Sequence, residues 1–151
     1  MHRIARILLV GLLAGFVGEG VLGILFVSPV VKSVLYNPEL QSQLFIDLTS
    51  SRNIPISVAG LVVLSSIHAW LFLVFAKSIP GATWWGKGLF WGVTIWLMYW
   101  VFQEWFIFRT LLKEPVLLSL FELLLLLLGS FVEGLVISFA FRKEVAGTNE
   151  A

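Results

Sequence analysis

Four stretches of this chain, residues 4–28, 54–78, 84–108 and 115–141, are apolar over lengths that match a lipid bilayer. A spanning helix needs about 20 such residues, rising about 1.5 Å each through a hydrocarbon layer about 30 Å thick. Little chain remains for anything else: a connector over 29–53, two short ones, and a short polar tail over 142–151. A chain of 151 residues that is 59% hydrophobic and 13% charged, with a mean hydropathy of +0.98, cannot coat a soluble globule with polar groups. The expectation is an all-α integral membrane protein, a single domain over 1–151 built as a four-transmembrane-helix antiparallel bundle. Its surroundings are the lipid bilayer. A net charge of +1 leaves no electrostatic footprint for nucleic acid. The absence of cysteine removes disulfides, thiolate metal sites and thiol redox chemistry together.

Met1-His2-Arg3-Ile4-Ala5-Arg6 looks like the basic start of a signal peptide. The apolar stretch behind it is too long, contains Glu19, and ends at Ser28-Pro29 without a small-residue cleavage pattern, so a retained helix is expected. An even number of spans puts both termini on one side, with Arg3, Arg6, Lys77, Lys87, Arg142 and Lys143. Lys32, Arg52, Arg109 and Lys113 fall on the other. This bias favours cytoplasmic termini in a plasma or inner membrane. In the long connector, Asn37-Pro38 is a good helix start, and Leu40, Leu44 and Leu48 follow at four-residue spacing. A short interfacial helix is expected there, in the first outer loop.

Inside the apolar stretches lie Glu19, Glu104, Glu122 and Glu133, joined at depth only by His68. An intramembrane carboxylate costs about 2.5–3.5 kcal/mol on insertion scales, so each must be protonated, paired, hydrated or given a cation. Spacing places them on faces. Gly11, Gly15, Glu19 and Gly23 step by four along the first span, with Ala14 and Gly18 beside them. This strip of small residues is a helix-packing face. Gly88, Gly92, Trp96, Trp100 and Glu104 form a second ladder in the aromatic third span. Ser57 and His68 return to nearly one face, as do Glu122 and Glu133, with Ser119, Gly129 and Ser130 in the same arc as the two acids.

Depth can be counted from the basic residues at the ends of the spans. His68 and Glu133 both come out about 13 Å in, and Glu19 about one turn deeper. Glu104 and Glu122 lie nearer the outer face, within reach of Arg109 and Lys113 from the loop. That expectation makes Glu104, Glu122 and Arg109 a hydrated or ion-paired outer vestibule, and Glu19, His68 and Glu133 an inner group that handles protons or a cation. Trp96 and Trp100 offer aromatic faces that, next to an acid, suit an organic cation, a quinone or a lipid head group.

No Glu-x-x-His pair for a di-iron centre occurs, and two histidines, one of them terminal, supply no pair of deep ligands for bis-histidine haem within one chain. No nucleophile elbow or phosphate-cradling loop occurs either. No catalytic residue, metal or cofactor is therefore expected. The expected function is a proton- or cation-coupled carrier or conduit for a small or organic-cation substrate. The alternative is a non-catalytic accessory or assembly subunit, working as a homo-oligomer or within a larger membrane complex.

Overall fold

The computed structural model describes residues 3–42 and 53–146. Every regular element among them is helical: α1 (Arg3–Val27), α2 (Pro29–Leu35), α3 (Ile54–Phe75), α4 (Trp84–Ile95), α5 (Val116–Ala140) and α6 (Arg142–Ala146). Beyond α4 the same helix runs on through two π-helical stretches, Trp96–Trp100 and Gln103–Leu111. Among the described residues three helices, α1, α3 and α5, are long and apolar enough to cross a membrane. Large apolar side chains face outwards, Ile24 and Met98 each being 72% exposed. An apolar exterior of this extent, together with three helices of spanning length, supports a membrane location.

Local chemistry sets the helix starts. Ser28 accepts from the Val31 N–H at 3.4 Å with Pro29 in the first turn, Asn53 accepts from Ile56 at 3.2 Å, and Thr83 from Gly86 at 3.2 Å. Ser28-Pro29 therefore ends α1 and begins α2. The expected helix start at Asn37-Pro38 is instead a turn, in which Asn37 Oδ1 accepts from Glu39 N–H and its carbonyl from Leu40 N–H, both at 3.0 Å. Asparagine closes such a turn as readily as it caps a helix. Leu44 and Leu48 lie outside the described residues.

The helices pack as an open row, α1 between α3 and α5, and α5 between α1 and α4. Glycines bring the backbones together. A methyl carbon placed on Gly11 would sit 2.5 Å from Ser66 Cα on α3, and one on Gly92 would sit 2.7 Å from the Ser130 carbonyl on α5. Gly134 meets the Gly88–Gly92 backbone from the opposite side. The small-residue strip of α1 does not act as one face, because Gly11 and Gly15 meet α3, Gly18 meets α5, and Gly23 has nothing within 4 Å.

Helices α3 and α4 form a hairpin closed at its connection. Phe72 and Trp91 meet edge to face at 5.8 Å, and the buried Lys87 donates from Nζ to the Ala76 carbonyl at 2.7 Å. Gly81, at φ 122°, turns the connection where an L side chain would be strained. Arg6 spans both terminal segments: it pairs with Glu144, donates to the Ala140 carbonyl at 2.7 Å, and lies over the Phe141 ring at 5.0 Å.

The π-helical stretches correct the expectation of a plain third helix. Four-residue steps drift about 40° each in an α-helix, so Gly88 and Glu104 would end on faces about 160° apart. Both instead face α5, because i→i+5 bonding adds a residue to each turn and holds the drift back. Leu112 N–H donates to the Ile107 carbonyl at 3.0 Å, and Thr110 Oγ1 to Trp105 at 2.7 Å, both five residues back.

Gly11→Ala and Gly92→Ala should each destabilise the protein by about 1–3 kcal/mol through overpacking. Gly23→Ala should change it by less than about 0.5 kcal/mol. Unfolding in detergent micelles measures all three, and equal losses would mean that glycine packing is not what sets the helix spacing.

Candidate functional site

At the end away from their connection, α3 and the π-helical stretch part around a cleft of about 700 Å³. Glu19 lines it from α1, Ser57 and His68 from α3, Trp100 and Gln103 from the first and second π-helical stretches, and Glu133 from α5. The glycine contacts explain why it exists. They draw α3 onto α1 and α4 onto α5, and the cleft occupies the space that the open row leaves between α3 and the aromatic helix.

His68 Nδ1 lies 2.9 Å from Glu133 Oε1, with the two side chains 15% and 11% exposed. A carboxylate only accepts, so the ionised form takes a proton donated from Nδ1. A protonated Glu133 would donate in the reverse direction. The pair thus holds a proton between two groups at the edge of a cavity. Glu19 lies on the same wall system, and Trp100 packs against Tyr99 with ring centroids 4.5 Å apart. The arrangement combines carboxylates, an imidazole and aromatic faces around one space, which is what a cationic ligand needs for charge balance and cation–π contact.

The two tryptophans of the expected substrate face separate. Trp100 lines the cleft, whereas Trp96 donates from Nε1 to the Leu123 carbonyl on α5 at 2.8 Å and serves helix packing.

The expected outer vestibule is also different in kind. Glu104 is 1% exposed and lies beside part-exposed Glu122 and a third acid, Glu114, which is 0% exposed. One carboxylate oxygen from each lies within 4.8 Å of the other two. Arg109 does not pair with them. It donates from Nη1 to the Glu114 backbone carbonyl at 3.0 Å, and Lys113 is exposed. Among the described residues no ion pair reaches these acids. Ser119 Oγ donates to Glu114 Oε2 at 2.9 Å, while Glu104 Oε2 and Glu114 Oε1 are buried without a hydrogen-bond partner. Each orphaned oxygen carries a desolvation cost of about 1–3 kcal/mol, more when charged.

Glu114 escapes a reading of the sequence because it sits in the short connector beside Pro115, where an acid is ordinarily solvated. The backbone turns it inwards. Lys113 takes φ 58°, and Glu114 N–H donates to the Phe108 carbonyl at 3.0 Å. Burial pushes the Glu114 pKa up, and the Ser119 hydroxyl acts against that rise.

The acids therefore form two groups rather than one polar path, since neither Glu104 nor Glu122 lines the cleft. Compared with known proteins, the chain gives no significant match to a family model, a curated sequence or a solved structure.

Trp96→Phe should cost about 0.5–1.5 kcal/mol by losing the bond to Leu123. Trp100→Phe should leave stability within about 0.5 kcal/mol of the parent. Detergent unfolding of the two variants side by side distinguishes a packing tryptophan from a lining one.

Proposed function

We propose that this chain is a four-span membrane protein acting as a proton-coupled carrier or conduit for small organic cations, and not an enzyme. The observation that carries this reading is the His68–Glu133 hydrogen bond at the edge of a cleft that Glu19 and Trp100 also line. In the proposed topology the helix from Trp84 to Leu111 is the fourth span, and both termini lie in the cytoplasm of a plasma or inner membrane. The outward-facing apolar side chains meet the acyl chains.

The chemistry follows from charge balance in an apolar medium. With no cation in the cleft, Glu133 keeps its hydrogen bond to His68. An entering organic cation sits against the Trp100 face and is balanced by the Glu133 carboxylate, while the proton held between Glu133 and His68 leaves to water in the cleft. Return of the proton expels the cation. Ser57 and Gln103 supply neutral polar groups that keep the path wet.

The test is uptake of tetraphenylphosphonium or ethidium into proteoliposomes under an imposed pH gradient. The wild type should accumulate the dye with the gradient and lose accumulation when it collapses. Glu19→Gln and Glu133→Gln should each reduce gradient-driven flux about tenfold or more, as loss of a positioned proton-transfer group does, while Trp100→Ala should raise the half-saturating dye concentration. Flux that ignores both carboxylates overturns the carrier and leaves the accessory-subunit alternative, which co-purification with a larger membrane complex would support.

A further inference from the structure

We infer that Glu104, Glu114 and Glu122 form a binding site for a hard divalent cation, with calcium the best-fitting ion. This site is separate from the cleft and does not rest on the carrier reading. Its three acids come from three segments: the second π-helical stretch, the turn after it, and α5. One oxygen from each falls within 4.8 Å of the others, the spread of a single coordination sphere.

A cluster of acids at a protein surface would mean little, because water solvates each one. Two of these three are buried. Glu104 and Glu114 are 1% and 0% exposed, and each has a buried carboxylate oxygen with no hydrogen-bond partner. Arg109 donates from Nη1 to the Glu114 main-chain carbonyl, and among the described residues it makes no ion pair with the three carboxylates. Ser119 satisfies only one oxygen of Glu114. Like charges at this separation, without a counterion, repel strongly in a medium that screens poorly. A divalent cation that displaces the proton of the side-chain hydrogen bond between Glu104 and Glu122 offsets two of the three negative charges and supplies the orphaned oxygens with a partner.

The donor set selects the ion. It contains oxygen alone, with neither imidazole nor thiolate, which favours calcium, magnesium or manganese over zinc or copper. Calcium–oxygen distances of about 2.3–2.6 Å put opposed ligands about 4.6–5.2 Å apart, so oxygens within 4.8 Å of one another fall inside the span of a calcium sphere. Magnesium, at about 2.0–2.1 Å, draws opposed ligands to about 4.2 Å or less and keeps several waters. Part-exposed Glu122 is the side of entry. Bound there, the ion ties the aromatic helix to the start of α5 at the end where the cleft opens.

Equilibrium dialysis of the full chain in detergent, stripped with chelator and titrated with radioactive calcium, tests this directly. The wild type should bind calcium saturably at one site per chain and unfold at a higher temperature with calcium than with chelator. Magnesium should compete more weakly. Glu114→Gln and Glu104→Gln should each lower calcium affinity about 10- to 100-fold, as loss of a charged ligand does, while Glu39→Gln at an exposed turn leaves it unchanged. If a variant fails to fold, the wild-type titration still decides. Absence of saturable calcium, magnesium or manganese binding to the wild type overturns the inference, and the carboxylates are then neutralised by protons shared among them. Binding that survives both substitutions unchanged overturns it equally.

Discussion

Where Gly11 of α1 meets the Ser65–Ser66 backbone of α3, and where Gly92 and Gly134 meet across α4 and α5, no side chain separates the two helices. Without a hydrophobic drive between helices in lipid, association depends on this kind of close van der Waals approach. The contacts determine the outline of the molecule. With α1 held between α3 and α5, and α5 between α1 and α4, the helices form an open row rather than a closed square. Phe72, Trp91 and Lys87 then join α3 to α4 near their connection, and the far half of the hairpin is free to part. The cleft is the consequence of that parting, and the His68–Glu133 pair lies at its edge.

The π-helical stretches answer a geometric problem set by α5. A helix of normal pitch that packs Gly88 and Gly92 against α5 would carry Glu104 around to another face within a few turns. Slower rotation through Trp96–Trp100 and Gln103–Leu111 keeps Glu104 beside Glu122, and brings Trp100 and Gln103 to the cleft. Such bulges recur at functional sites, where they re-aim side chains that regular helix would misplace. Here the two π-helical stretches place residues at both groups of acids.

Much of this architecture was legible in composition and spacing. Long apolar windows identify α1, α3 and α5, because a bilayer imposes a length and a polarity that few other environments require. Counting depth from Lys77 and Arg142 brings His68 and Glu133 to one level, and they are in fact hydrogen-bonded. The count works because helix rise is constant, whatever the packing. Direction around a helix is less secure. Trp96 and Trp100 share a ladder in the sequence, yet one packs on α5 and the other lines the cleft. Gly23 continues the strip of Gly11 and Gly15 and meets nothing within 4 Å, because four-residue steps drift about 40° each and carry it off the face that meets α3.

The acids divide along the same boundary. Their presence at depth, and the obligation to neutralise or satisfy each one, followed from residue identity, since the cost of a carboxylate in an apolar medium does not depend on its neighbours. Which neighbours meet that obligation was a tertiary matter. Glu114 belongs to the buried cluster only because Lys113 enters the left-handed region and turns the connector inwards. Arg109, well placed by count to reach Glu104, is drawn to a main-chain carbonyl instead. Chain order and hydropathy determined that helices of bilayer length would form and that charged groups would lie within them. Helix pitch, glycine contact and one turn of backbone decided which of those groups share a space, because rotation about an axis accumulates over many residues and only packing halts it.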